Sequence, residues 1–268
     1  MKLGFIGGGN MAAALIGGLR RHAQPDEEIL VIERDGARRS LLEGDFGVAT
    51  QASIDASIQG SAIVVLAVKP ADMQPVCEAL GRLPGEYLVL SIAAGVPSTA
   101  IARWCGTEAV VRAMPNTPAL VGQAITGLFA RSGVSAEQRA AATRTIQAIG
   151  EAVWFTDEAM LDAVTAISGS GPAYVFYFVE ALQDAARQMG MSAQTARHFA
   201  VQTFVGAAQL AAQSTDEVAL LRERVTSKGG TTAAALEKLR DANVGATIIA
   251  AAFAALQRSQ EMARTYAA

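Results

Sequence analysis

Residues 4–19, GFIGGGNMAAALIGGL, constrain the fold more than any other stretch of this chain. Residues 2–6 are short, apolar and bounded by glycine, the pattern of a buried strand. Residues 11–19, rich in alanine and leucine, predict a helix. Between them Gly7, Gly9 and Ala12 form G-x-G-x-x-A. The first glycine permits a tight turn. The second lets the backbone approach a pyrophosphate, and the small third residue lets helix pack on strand. The helix N-terminus then offers N–H groups and partial positive charge to the phosphates. A plain strand–helix turn is the competing reading. Context favours nucleotide binding, because the motif follows a strand and opens a helix.

The rest of the first half repeats this alternation. Residues 29–33, 62–68, 87–92 and 109–113 are short β-rich runs, followed by 125–130 and 152–155. Ser135 with Gln138 has capping-box spacing for a helix through Ile149. Alternating strands and helices imply an α/β fold, a doubly wound parallel sheet of Rossmann type over residues 1–156. Beyond Thr156 helical patterns take over. One spans 173–189 and ends near Gly190; Ser192 caps a second through Ala212; Thr215, followed by Asp216 and Glu217, caps a third; another spans 246–266. Several are apolar around much of their circumference and must be covered on more than one side. A stretch of this length, residues 157–268, does that poorly alone. An all-helical dimerisation domain is therefore expected, in a homodimer or a ring of dimers, with a self-contained helical bundle as the alternative.

Composition narrows the function. A net charge of −3 gives no basic surface for nucleic acid. Cys77 and Cys105 lack metal or redox spacing and read as reduced packing residues of a cytoplasmic protein. Glycines and charges interrupt the apolar runs, so no membrane span is expected. His22 falls in a polar loop and His198 in a helical stretch, partly packed. Neither has triad partners or zinc-ligand company, so no hydrolase and no metal site is expected.

The acid Glu33 ends the second strand where NAD enzymes bind the adenosine ribose. Arg34, Arg38 and Arg39 follow, and guanidinium groups there pair with the 2′-phosphate of NADP. The balance favours NADP, with NAD as the alternative.

The chemistry must use few titratable groups. No lysine stands between Lys69 and Lys228, which disfavours a hydroxyacid dehydrogenase with a lysine base on the helix opening its second domain. AVKP (67–70) and SIAAG (91–95) end strands, and RAMPNTP (112–118) displays Asn116 on a proline-stiffened loop. Such strand ends form the ligand crevice of an open parallel sheet. In VTSKGGTT (225–232), Gly230, Thr231 and Thr232 start a helix, so N–H groups and hydroxyls converge as a site for a small carboxylate. A helix cap by Ser227 or Thr231 is the alternative.

GFIGGGNMA, AVKP, SIAAG, RAMPNTPA, SGSGPAY and VTSKGGTT occur together, in this order. In this the chain resembles the pyrroline-5-carboxylate reductases, from Leu3 to the final helix. The resemblance implies hydride transfer from NAD(P)H to the C=N carbon of 1-pyrroline-5-carboxylate, giving L-proline. It implies substrate binding in the segment from Val225 to Thr232. Ser227 and the backbone of Gly230 and Thr231 would hold the carboxylate, and Thr232, as the catalytic residue, would bond the ring nitrogen. It places Gly7, Gly9, Asn10 and Met11 on the pyrophosphate and Ala67, Lys69, Ala93 and Asn116 around ribose and nicotinamide. Arg34 at the 2′-phosphate is read from the residues alone, since Glu33–Arg34–Asp35 is the least family-like part of the chain. One subunit is expected to help close its partner's site. The rival classes are a reductase of another substrate on the same fold and a non-catalytic nucleotide sensor. A sensor would not need the cradle at 227–232.

Overall fold

The structure, a computed structural model, describes residues 1–21 and 27–267, and His22 lies outside them. Its first part runs β1 (Lys2–Ile6), α1 (Asn10–Arg21), β2 (Glu28–Ile32), α2 (Gly36–Phe46), β3 (Ala49–Gln51) and β4 (Ile63–Leu66). It continues with α3 (Met73–Gly81), β5 (Leu88–Ser91), α4 (Ser98–Cys105), β6 (Val110–Met114), β7 (Ala124–Ala130), α5 (Ala136–Gln147), β8 (Gly150–Phe155) and α6 (Met160–Val164). The strands form one sheet in the order β3-β2-β1-β4-β5-β6-β7-β8.

Alternate residues of these strands enter different layers, as the pleat requires. Leu3 and Phe5 join a buried cluster with Val31, Val65 and Leu90. Ile6 joins the opposite one with Ile32, Leu66 and Val89. α1 and α5 supply Leu15, Ile16 and Ile146 to the first cluster, and α3 and α4 supply Met73, Leu80 and Ile101 to the second. Covering both faces explains why the strands read as continuous apolar runs. Each large side chain so buried contributes roughly 1.5–3 kcal/mol.

Two details depart from the sequence reading. β3 is an extra edge strand of three partly exposed residues, too short to leave a pattern. And β7 runs antiparallel to β6, whereas every other pair is parallel. The connection between them holds only the short 3₁₀ turn Thr117–Val121, and a parallel return needs a crossover of a dozen residues or more. The capping box of α5 forms with both of its hydrogen bonds, although the helix stops at Gln147.

The helical part contains α7 (Gly171–Gln188), α8 (Ala193–Gln213), α9 (Val218–Arg224), α10 (Thr231–Asp241) and α11 (Val244–Ala267). Ser192 caps α8 by accepting from the Thr195 amide. Thr215 does not cap α9. The Ser214 hydroxyl accepts from the Asp216 amide, and the Asp216 carboxylate pairs with Arg224. That turn keeps 214–216 outside the helix, with Glu217 at its N-cap position.

The chain divides into two compact units, Met1–Ser170 together with Ala255–Ala268, and Gly171–Ala254. The end of α11 belongs with the sheet for definite reasons. The Ser259 hydroxyl donates to Asp162 at 2.6 Å, Met262 packs on Gly95, and Tyr266 packs on the second cluster. The helical unit is different in kind. Among its described residues only Ala196 and Ala200 are buried, while Phe176, Tyr177, Phe199, Ile249 and Phe253 are exposed. Among the described residues no single helix is long and apolar enough to cross a membrane; α10 and α11 pass that test only as a pair bent by 53°.

Candidate active site

The turn after β1 shows why glycine is required. Gly7 has φ +96°, and a Cβ on it would stand 2.6 Å from the carbonyl oxygen of Ala67. The close approach comes from strand order: β1 lies between β2 and β4, and the Gly7 amide donates to Ile32 O at 2.8 Å. At Gly9 a Cβ would meet nothing within 4 Å, so that face of the turn is open. The first bond of α1 runs from the Ala13 amide to Gly9 O, leaving the amides of Asn10, Met11 and Ala12 outside the helix ladder. An open glycine facing a helix N-terminus fits a dinucleotide pyrophosphate.

The residues after β2 are largely committed to one another. Glu33 accepts from the Gly8 amide at 2.8 Å and from the Asp35 amide at 2.9 Å. Arg38 donates to Gly8 O at 2.5 Å, and Arg39 to the carbonyls of Glu33 and Arg34 at 2.8 and 2.9 Å. Arg34 differs: its side chain is 84% exposed and its ion pair is with Asp72, 3.7 Å away.

The other expected cofactor residues lie at the same edge of the sheet. Ala67 and Lys69 follow β4, with Lys69 exposed ahead of the turn Pro70–Asp72. Ala93 is buried after β5. Asn116, after β6, is only 8% exposed. It donates to Ser168 O and accepts from the Ile125 amide, both at 3.1 Å, tying its loop to β7 and to the π-helical turn Thr165–Gly169.

The sequence reading missed a buried ion pair beside this loop. The Arg112 guanidinium meets Glu158 at 2.6 Å, and Glu158 also accepts from the Ser98 amide at 2.7 Å and hydroxyl at 2.5 Å. Burial works to raise the Glu158 pKa, but the bonds from Arg112 and Ser98 outweigh it and hold the carboxyl below its ordinary value. The available signal was an arginine inside the apolar strand VVRAM, which must find an acid when buried.

In the helical unit the expected substrate residues fall on one loop. Val225 follows the last turn of α9 and is 62% exposed. Ser227 is exposed; its carbonyl accepts from the Gly230 amide at 3.0 Å. Gly229 has φ +72°, and a Cβ on Gly230 would collide with the Ser227 hydroxyl. α10 begins at Thr231 with Gly230 as N-cap and no capping side chain. The amides of Thr231, Thr232 and Ala233 therefore lack a helix cap by Ser227 or Thr231, and Thr232 is half-buried beside them.

His198 is exposed on α8 rather than partly packed, with its ring edge-on to Phe199. Cys77 and Cys105 are free and buried on α3 and α4. Their mutual hydrogen bond and then burial push the Cys105 thiol up, away from thiolate chemistry. Among the described residues no cluster of three His, Cys, Asp or Glu side chains suits a metal ion.

Two segments of the chain match family models. Residues 158–262 match pyrroline-5-carboxylate reductase dimerisation, and residues 2–95 match NADP oxidoreductase, coenzyme F420-dependent. The pyrroline-5-carboxylate reductase of Pseudomonas aeruginosa is 45% identical over 264 residues, 98% of this chain and 97% of the relative. That of Pasteurella multocida is 41% identical over 98% of both chains. Among solved structures, the Coxiella burnetii pyrroline-5-carboxylate reductase superposes with a TM-score of 0.90 at 39% identity over 97% of both chains. The Plasmodium falciparum enzyme, with NADP bound, gives 0.86 at 27% identity over 98% of both.

Proposed function

The chain belongs to the pyrroline-5-carboxylate reductase family, and from that premise we propose how its residues divide the work. The protein reduces 1-pyrroline-5-carboxylate to L-proline with NAD(P)H. The observation that carries the residue assignment is the uncapped start of α10 behind Ser227.

A bound reduced nicotinamide supplies the hydride, which adds to the C=N carbon while the ring nitrogen carries a proton. A cyclic imine protonates readily and its iminium accepts hydride well, so the protein needs positioning more than a strong acid. That suits a chain with four lysines and two histidines. Ser227 and the amides of Gly230 and Thr231 bind the substrate carboxylate, which helix N-termini favour. Thr232 hydrogen-bonds the ring nitrogen. Gly7, Gly9, Asn10 and Met11 bind the pyrophosphate, with Ala67, Lys69, Ala93 and Asn116 around the ribose and nicotinamide. With both ends of its amide already engaged, Asn116 acts mainly by shaping the loop. Arg34 takes the 2′-phosphate of NADPH, the favoured cofactor. The protein works as a homodimer or a ring of dimers, because the helical unit exposes the apolar side chains that a partner would bury.

The test mixes purified protein, NADPH and pyrroline-5-carboxylate and follows the absorbance of the reduced cofactor. Substrate-dependent oxidation with proline formed in equal amount is expected; oxidation without proline, or none, overturns the reading.

A further inference from the structure

Asp72 is the acid of the short turn after β4. It stands at the N-cap position of α3, yet its side chain makes no capping bond. The Pro70–Asp72 turn, closed by the Asp72 amide on Lys69 O at 2.9 Å, holds it at the edge of the crevice. Strand order puts the loops after β2 and β4 on either side of the glycine turn. Across that turn the Asp72 carboxylate reaches Arg34.

Of the three arginines after β2, Arg38 and Arg39 already donate to backbone carbonyls. The Arg34 guanidinium instead pairs with the Asp72 carboxylate, 3.7 Å away. A 2′-phosphate arriving at Arg34 must displace this carboxylate and then sit close to its negative charge. A 2′-hydroxyl meets neither penalty, since it carries no charge and a carboxylate can accept from it.

We propose that Asp72 is a specificity-determining residue: as the counter-ion of Arg34 it lowers the preference for NADPH over NADH. The proposal rests on the reading that Arg34 takes the 2′-phosphate. The Arg34 side chain is largely in water and that of Asp72 is 43% exposed, so the effect is modest and salt-sensitive, about two- to fivefold.

The experiment titrates the protein with NADPH and with NADH in the absence of substrate, following cofactor fluorescence. It uses the wild type, Asp72→Asn, Arg34→Ala and the double variant. Asp72→Asn should tighten NADPH binding about two- to fivefold, leave NADH within about twofold, and lose its advantage in high salt. Arg34→Ala should weaken NADPH about tenfold more than NADH, and Asp72→Asn should then help NADPH less than it does beside Arg34, because only the charge repulsion is left to relieve. If Asp72 only stabilises α3, its variant lowers the melting temperature and leaves the NADPH/NADH ratio alone, which overturns the proposal. If Arg34→Ala is selective and Asp72→Asn is not, the Asp72 role falls while the Arg34 reading stands. Equal effects of Arg34→Ala on both cofactors overturn the Arg34 reading and this proposal with it.

Discussion

Glu158→Gln tests whether the Arg112–Glu158 pair holds the crevice loop in place. The Arg112 side chain is 8% exposed and that of Glu158 22%. Removing one partner of a buried pair costs about 3–5 kcal/mol, because the other charge is left without compensation. Here Glu158 touches solvent and glutamine keeps one accepting oxygen for Arg112 or Ser98, so about 2–3 kcal/mol is expected. For a chain of this size that lowers the melting temperature by roughly 4–12 °C. The pH dependence has a definite sign. The folded Glu158 pKa lies below its ordinary 4.5, so its stabilisation is complete above that value and is lost as pH falls through the folded pKa. The deficit of Glu158→Gln should therefore be full at about pH 7 and shrink at about pH 3. Replacing both partners by apolar residues, Arg112→Met with Glu158→Leu, should restore much of the loss. Thermal melts of the three proteins at the two pH values decide. A Glu158→Gln protein melting within about 1 °C of wild type near neutral pH, or a deficit independent of pH, would refute the reasoning.

Thr232→Val keeps shape and removes a hydroxyl, so kcat should fall roughly tenfold to a hundredfold, matching about 1.5–3 kcal/mol for a bond to a charged group; Ser227→Ala should raise KM instead. Steady-state kinetics with a thermal melt separates these effects from simple helix stabilisation, which would shift the melting temperature only. Gly7→Ala places a Cβ against Ala67 O in a left-handed backbone that costs a non-glycine residue about 1–2 kcal/mol, so NADPH binding should drop at least about tenfold by fluorescence titration with the circular dichroism retained. Sedimentation should give a dimer or larger; an active, stable monomer at micromolar concentration would contradict the assigned role of the helical unit's apolar surface.

What the sequence by itself determined is everything encoded in local pattern. The glycine turn at Gly7 and Gly9, the strands of the sheet centre, the capping box at Ser135 and the cap at Ser192 depend on residues a few positions apart. Short-range sterics and backbone hydrogen bonding dictate them wherever the segment ends up. The loop at 225–232 was legible for the same reason, since a glycine pair before hydroxyls opens a helix locally.

What only the tertiary structure decided involves partners far apart in the chain. The direction of β7 depended on how short a reversal the 3₁₀ turn made, and β3 exists only because β2 offered it an edge. Thr215 had the composition of a cap, but Asp216 found Arg224 and turned the chain otherwise. Asn116 became a tie because Ile125 and Ser168 came to its two ends. Arg112 needed an acid, and nothing nearby in sequence identified Glu158 as the one. Charges and amides are satisfied by whatever the fold brings within about 3 Å, and that proximity is a property of the packed molecule, not of sequence spacing.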